Sequence, residues 1–416
     1  MKSRATLNMI KNKLFNLGIL FGSVLVVILL LELALRFTHY SFLMSRNEEF
    51  RYYYKSDLKK GCDIKPNVNK FQSNVENKIY FPVWSNELGC FDDPYRGEKD
   101  YILLVGDSFV HGHAPFADKW GSQLEKLLGY RVLKCGVDGY GTKQEYLKAQ
   151  EIIGIIKTDP RLIILGYFLN DLEDDYLFPR QTVIDGYVMH LKELQNIETG
   201  EVSLRENLEK DFSTLSSGSF IKIKNIIKRN SIIGRIFADF VKANIMSGPK
   251  SNINNKVSLS FFEFPWIENA WKNHFENIDL LKLLAIKNNA KLLIVIIPTR
   301  EQVYQFLFDW QGARLNPETP NKKIINFLKN AGIGYVNLLP LLKEYANQLP
   351  RNLLSPSDDL YWQYDGHWSI NGEHLAGLLV AKDILESKVI PITHRDDKLR
   401  LINQQLAEFR ETQAAR

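Results

Sequence analysis

The apolar run Tyr101-Ile102-Leu103-Leu104-Val105 stops at Gly106-Asp107-Ser108, and that junction constrains the fold more than any other feature of the chain. A short, continuous apolar run bounded by turn residues is the pattern of a strand buried on both faces, as in a parallel sheet. In open α/β sheets, ligands and reactive groups gather outside the carboxyl ends of such strands. Ser108, followed by the loop Val110-His111-Gly112-His113, is therefore placed as a candidate nucleophile. Gly-Asp-Ser by itself is also ordinary turn chemistry. The rest of the chain has to decide.

The same pattern recurs. Val132-Leu133-Lys134-Cys135 runs into the glycine-rich loop Gly136-Val137-Asp138-Gly139-Tyr140-Gly141-Thr142. Leu162-Ile163-Ile164-Leu165-Gly166-Tyr167-Phe168-Leu169 runs into Asn170-Asp171. Further strands are expected at 291–297 and 333–338, alternating with helices at 122–128, 143–153 and 267–288. Strand–helix alternation of this kind predicts a parallel sheet covered by helices on both faces. Near the C-terminus, Tyr364-Asp365-Gly366-His367-Trp368 places a carboxylate and an imidazole side by side.

In this order the four segments resemble the blocks of the SGNH (GDSL-type) hydrolase superfamily, which supply Ser, Gly, Asn and His. The resemblance runs from Tyr101 to about Ala381. It implies a three-layer α/β/α, flavodoxin-like fold and an ester-cleaving activity. Residue by residue, it implies Ser108 as nucleophile, His367 as its base and Asp365 as the carboxylate that orients the imidazole. The backbone N–H of Ser108, the backbone N–H of Gly139 and the Asn170 amide would hold the oxyanion. The chemistry agrees with the residue types. A serine hydroxyl needs a base, neutral imidazole suits that work near pH 7, and a carboxylate fixes its tautomer.

Three positions depart from the family pattern. Phe109 stands where the family name has Leu, and Phe168 where the third block has Gly. The carboxylate is two residues before His367, whereas Tyr364 fills the usual place three before it. The shorter spacing is similar to the branch containing periplasmic polysaccharide O-acetyltransferases of the alginate type, and to membrane-anchored esterase-like proteins.

Structural uses of the same residues stay open at this stage. Gly136 and Gly141 can shape turns, Asn170 can cap the helix beginning at Asp171, and Asp365 can cap one beginning near Ser369. His111 and His113 can line the pocket, and His374 is expected on the core side of the helix 371–387. His39, His190, His274 and His394 lie near no other block. His111-x-His113 lacks a companion acid or thiol in the sequence, so neither a metal nor a cofactor is expected.

Residues 14–31 contain no charge, and the apolar pattern continues past Glu32 to Phe37. Such a span is long enough to cross a bilayer as a helix. Lys2, Arg4, Lys11 and Lys13 precede it without an acid, which predicts a cytoplasmic N-terminus and an extracytoplasmic remainder. An uncleaved single-pass anchor is expected rather than a signal peptide. Of the three cysteines, Cys135 reads as a core residue, and Cys62 and Cys90 are the candidates for a disulfide.

The regions expected are a basic tail (1–13), an anchor (14–36), a connecting segment (37–98), a catalytic domain (99–386) with an insertion at about 179–264, and a helical tail (387–416). In the insertion, Asp185-Gly186 suggests a hairpin turn and 220–229 a basic amphipathic helix. Trp266, Trp271 and Trp310 are candidate sugar platforms or core aromatics. Leu399, Ile402, Leu406 and Phe409 form a helical stripe that should dock on the domain or a partner. The net charge of +5 is dispersed, without a basic block interleaved with aromatics, so no nucleic-acid partner is expected. The sequence thus points to an outward-facing esterase acting on a carbohydrate or cell-envelope acyl ester. The alternatives are an O-acetyltransferase modifying an extracellular polysaccharide, and a noncatalytic glycan-binding or assembly protein on the same fold. It names no protein partner.

Overall fold

Each expected apolar run of the sheet is a strand in the computed structural model, which describes residues 2–37, 52–75, 79–184, 186–204, 231–234, 258–304, 315–346, 360–362 and 365–414. The calls on 220–229, Trp310, Asp185 and Tyr364 lie outside these residues. Two compact units are present, one of Met1–Glu48 with Glu209–Ser251 and one of Glu49–Leu208 with Asn252–Arg416.

In the first unit, residues Lys2–Arg36 form one helix, of which Gly18–Arg36 has a mean hydropathy of 2.6 and is long enough to cross a membrane. A span of 19 residues rises about 28 Å, close to a bilayer's apolar thickness. Its single acid is not left bare. Glu32 accepts the Ser231 hydroxyl at 2.9 Å and the N–H groups of Ile232 and Ile233 at 3.0 and 3.1 Å.

The second unit opens with two antiparallel hairpins, β1 (Tyr54–Asp57) with β2 (Gly61–Ile64) and β3 (Phe71–Val75) with β4 (Ile79–Val83). The central sheet contains β5 (Tyr101–Gly106), β6 (Arg131–Lys134) and β7 (Leu162–Phe168). Two more hairpins follow, β8 (Gln181–Ile184) with β9 (Tyr187–His190) and β10 (Lys192–Asn196) with β11 (Glu201–Leu204). The sheet is completed by β12 (Lys291–Ile297) and β13 (Gly334–Asn337). Its order is β13-β12-β7-β5-β6, and each pairing is parallel. Counted along the sheet strands alone, that is the 2-1-3-4-5 order of flavodoxin-like folds, whose switch point lies beside the first strand.

Side-chain alternation sorts the core into two layers. Ile102, Leu104, Ile164 and Val295 pack with the helices Trp120–Leu128, Leu338–Tyr345, Ile370–Ser387 and Arg395–Ala414. Leu103, Val105, Leu165 and Ile294 face the other way, against Thr142–Ile156, Pro265–Lys287 and Thr319–Ala331. The C-terminal stripe docks on its own unit, with Ile402 and Leu406 buried in the first layer.

Two sequence readings, the cysteine pairing and the side of His374, are corrected here, and one left open is decided. The disulfide joins Cys90 to Cys135, with Cα atoms 4.5 Å apart, and Cys62 is free. Pairing was misjudged because β6 carries Cys135 back beside the segment that precedes β5. Trp271 takes the core use of the two left open by the sequence, while the Trp266 indole donates to the Ile197 carbonyl and packs at a tilt of 39° against Tyr176. His374 is turned outward, with its Nε2 3.0 Å from Asp118 Oδ1, and does not face the core. The segment read as connecting is folded from Tyr52 onward. Tyr53, Phe71, Val83 and Phe91 share a buried cluster with Val137, Tyr140 and Trp362.

Candidate active site

Ser108 begins the short helix Ser108–His111 immediately beyond the carboxyl end of β5. Asp107 is its N-cap, accepting the Phe109 N–H at 2.9 Å. That cap fixes the first turn, where backbone N–H groups have no intrahelical partner. Close packing holds the helix against the sheet: a Cβ at Gly106 would lie 2.3 Å from Val110 Cγ2, and one at Gly136 would lie 2.3 Å from the His111 nitrogen.

His367 approaches from the other end of the sequence. Its Nε2 lies 2.7 Å from Ser108 Oγ, and its Nδ1 lies 2.5 Å from Asp365 Oδ1. Gly366 between them has φ +87°, a left-handed turn suited to glycine. The loop is pinned on both sides, because Trp362 N–H donates to the His367 carbonyl and Ser369 N–H to the Leu360 carbonyl. Helix capping falls to Ser369, which accepts from Gly372 N–H, so Asp365 is not the cap.

The two phenylalanine departures meet each other. Phe109 lies 4.4 Å from Phe168 between ring centroids, and 5.0 Å from the His367 ring. An aromatic at the third-block position thus gives Phe109 a wall to pack on. Together they shape the apolar floor beneath the base.

Asn170 follows β7 and occupies the N-cap position of the helix Asp171–Tyr176, yet makes no side-chain cap bond. Its amide donates to Asp174 Oδ2 at 2.9 Å, while Arg180 Nη1 lies 2.5 Å from Asp174 Oδ1. Of the three loop glycines, Gly139 alone has positive φ, +73°, and a Cβ there would sit 3.0 Å from the Gln181 amide nitrogen. Gly141 instead precedes the helix Thr142–Ile156. Ser108, Gly139 and Asn170 therefore lie on the loops after β5, β6 and β7, neighbouring loops at the switch point.

The other wall is built from His111 and His113, which the sequence offered as pocket lining, and from partners it did not offer. His113 stacks on His367, with centroids 3.9 Å apart and planes at 16°, and its Nδ1 lies 3.4 Å from Asp365 Oδ1. Asp138 sits 3.4 Å from His111 Nδ1 and 3.9 Å from His113 Nε2, and accepts the Tyr54 hydroxyl at 2.9 Å. The Tyr53 hydroxyl lies 3.0 Å from His111 Nε2. The signal was present as His111-x-His113 and as the acid inside the glycine-rich loop, but only the fold joins them. His111, His113 and Asp138 bring three donor atoms within 4.8 Å of one another, close enough to share a cation. The expectation that no acid joins this histidine pair is thereby corrected.

Electrostatics distinguish the groups. Burial alone would raise the Asp365 and Asp138 carboxyls, but contacts with His111, His113 and His367 hold both well below the usual carboxylate range. Burial, and then the charge of His113, push His367 down. His113 runs the other way: burial opposes its charge, yet Asp138 and Asp365 raise it to about 10. Burial lowers His111 to about 4. The arrangement supplies a neutral imidazole against a serine hydroxyl, with an ionised carboxylate behind it.

No protein-family model matches the chain, and no curated protein matches it. Solved structures similar to it include a catalytic mutant of an acetylxylan esterase from Geobacillus stearothermophilus, at 11% identity and a TM-score of 0.35, covering 69% of this chain and 94% of that one. A member of the lipolytic G-D-S-L family from Veillonella parvula is similar at 11% identity and a TM-score of 0.36, covering 70% and 100%. A GDSL-like lipase from Bacteroides thetaiotaomicron is similar at 14% identity and a TM-score of 0.30, covering 71% and 92%. Superpositions this loose carry no weight in assigning a reaction, which rests on the geometry of the site.

Proposed function

We propose that the chain is a serine ester hydrolase working through an acyl-serine intermediate on Ser108. The observation that carries this reading is the continuous contact from Ser108 Oγ to His367 Nε2 and from His367 Nδ1 to Asp365. Ser108 Oγ attacks the ester carbonyl carbon while its proton passes to His367 Nε2. The carbonyl oxygen then carries the charge, held by the N–H groups of Ser108 and Gly139 and by the Asn170 amide. Collapse of this intermediate breaks the ester C–O bond, and the alcohol leaves with the proton from His367. Water then attacks the acyl carbon and gives a proton to His367; the bond to Ser108 Oγ breaks, Oγ takes that proton back, and the acid is released. Asp365 stabilises the imidazolium at both stages.

An outward-facing, membrane-anchored enzyme acting on a carbohydrate or cell-envelope ester is the best-supported setting. The uncharged span with its basic N-terminal flank supports anchoring with the catalytic unit outside. The Cys90–Cys135 disulfide supports an oxidising compartment. The purified full chain in detergent should hydrolyse a short-chain aryl acetate, and Ser108→Ala should not. Equal rates would sink the proposal.

The two-residue spacing of Asp365 and His367 favours one second reading, an O-acetyltransferase. Both enzymes share the acyl-serine and differ in whether water or an acceptor hydroxyl reaches it. Supplying an aryl acetate with and without candidate polysaccharides, and measuring both free acetate and acetylated polymer, separates them. Rapid acetate release without acceptor supports the hydrolase. Polymer acetylation that outpaces it supports the transferase.

A further inference from the structure

We propose that His111, His113 and Asp138 form a binding site for a zinc-class divalent cation, which clips the loop after β5 to the loop after β6. The site goes beyond the hydrolase reading and stands whichever reaction Ser108 performs. His111 Nδ1 lies 3.4 Å from Asp138 Oδ1, and His113 Nε2 lies 3.9 Å from the same oxygen. All three atoms are within 4.8 Å of one another. Tetrahedral zinc, with bonds of about 2.0–2.1 Å, holds its ligand atoms about 3.3 Å apart. The edge from His111 to Asp138 already fits, and His113 has only to move inward.

Two of these atoms have no other use. The His111 side chain is buried, at 4% exposure, yet its Nδ1 makes no hydrogen bond to any described residue, and neither does the enclosed Asp138 Oδ1. Buried polar atoms left in this way cost free energy, and a cation between the two would satisfy both. The other atoms of the same side chains are held from outside. The Tyr53 hydroxyl lies 3.0 Å from His111 Nε2, and the Tyr54 hydroxyl donates to Asp138 Oδ2 at 2.9 Å. His113 Nδ1 lies 3.4 Å from Asp365 Oδ1. Such outer partners orient metal ligands and turn the free lone pair of each imidazole toward the ion.

The donor set names the class of ion. Two imidazole nitrogens and a carboxylate oxygen suit zinc and its transition-metal neighbours, with a further place left for water. Calcium and magnesium call for a shell of oxygens that these residues do not offer. On binding, the metal would displace the proton that Asp138 and Asp365 otherwise draw onto His113. Two other clusters fit less well. His113, Asp365 and His367 converge, but His367 already turns one nitrogen to Ser108 and the other to Asp365. Asp57, Asp63 and Glu151 converge on the Lys60 ammonium, which fills the place a metal would take.

What the cation would do follows from the loops it joins. His111 ends the short helix begun by Ser108, and Asp138 directly precedes Gly139. One ion would therefore fix the spacing between the nucleophile's loop and the glycine proposed for the oxyanion. It would also hold His113 in its stack on His367, where the centroids are 3.9 Å apart.

The test is zinc binding by the full chain in detergent, stripped with a chelator, dialysed against zinc chloride and read by elemental mass spectrometry. About one equivalent per chain should be retained at micromolar free zinc. Asp138→Asn and His113→Gln should each weaken binding by about a hundredfold or more, and Tyr54→Phe by about tenfold. His367→Ala and Cys62→Ser should bind as the wild type does. X-ray absorption at the zinc edge of the wild type should show imidazole nitrogen and carboxylate oxygen at about 2.0–2.1 Å, without sulfur. That spectrum needs no variant, so a misfolded variant cannot shield the inference. Failure to retain zinc would overturn it, and so would sulfur in the zinc's shell. Unchanged binding in either Asp138→Asn or His113→Gln would do the same. Loss of zinc in His367→Ala would move the ion onto Asp365 and His367, and would also overturn it.

Discussion

Two clusters flank Ser108, one buried and one partly open, and they treat the same residue type in opposite ways. On the β7 side, Asp107 and Asp174 are pushed up to about 7 by burial, and in Asp174 burial outweighs the pull of Arg180. Deeper on that side, burial and then the neighbouring carboxyls raise Glu145 and Asp171 well above their ordinary range. On the His367 side, Asp138 and Asp365 are more open, with side chains 28% and 30% exposed, and lie against imidazoles, which hold both well below the usual carboxylate range. Both the partner supplied and the degree of burial differ. Pairs of titratable groups driven apart by their surroundings mark where acid and base roles fall. Here the β7 side raises the carboxyls behind Asn170 by burial, and the other side supplies the anion the base requires.

The largest effects should come from the base and nucleophile themselves. Ser108→Ala or His367→Ala should each lower kcat for an aryl acetate by about 10⁴–10⁶, and the double variant by little more, since the residues act as a unit. Steady-state kinetics on purified variants with unchanged circular dichroism would check this. Additive losses would mean that the two residues act separately.

Matched amide substitutions sharpen the contrast between the clusters. Asp365→Asn should cost about 10⁴ in kcat, because an amide neither fixes the useful tautomer nor stabilises the imidazolium. A loss below tenfold would hand the role to another carboxylate. Asn170→Ala should cost about 10²–10³ in kcat with KM little changed, as expected of a donor used only when charge develops. A change confined to KM would make Asn170 a binding group.

Glu145→Gln tests the opposite expectation with the smallest effect on rate, within about twofold. Its carboxyl is raised in the folded chain, so the stability it lends is full below its unfolded value near 4.5 and is lost as pH rises through the folded value. The Gln variant should therefore gain stability over the wild type at neutral and alkaline pH, and gain nothing near pH 4. Denaturant midpoints across that range would show it. A uniform loss of stability would mean that the charged form is the one the cluster needs.

Much of this was legible in the sequence, for identifiable reasons. β5, β7 and β12 are continuous apolar runs buried on both faces, so composition alone marks them. Ser108 and Asn170 follow the β5 and β7 runs, whereas Gly139 lies in the loop after β6 and was distinguished from Gly136 and Gly141 only by the family resemblance. Asp365 and His367 lie two apart, so their pairing needs no knowledge of tertiary structure. His111 and His113 could be read as pocket lining, but their partners could not, because Tyr53 and Tyr54, Asp138 and Asp365 come from three other segments. Nothing local distinguishes those tyrosines from others in a tyrosine-rich stretch. The Cys90–Cys135 bond escaped for the same reason, as it depends on where β6 ends relative to the segment before β5.

The most direct test of the account is to trap the acyl group itself. The full chain should be mixed with an aryl acetate, quenched in acid during turnover, digested and analysed by peptide mass spectrometry. An acetyl group on the peptide bearing Ser108, present in the wild type and missing from His367→Ala, is the expected result. Acetylation at another residue, or at Ser108 equally in both proteins, would contradict it.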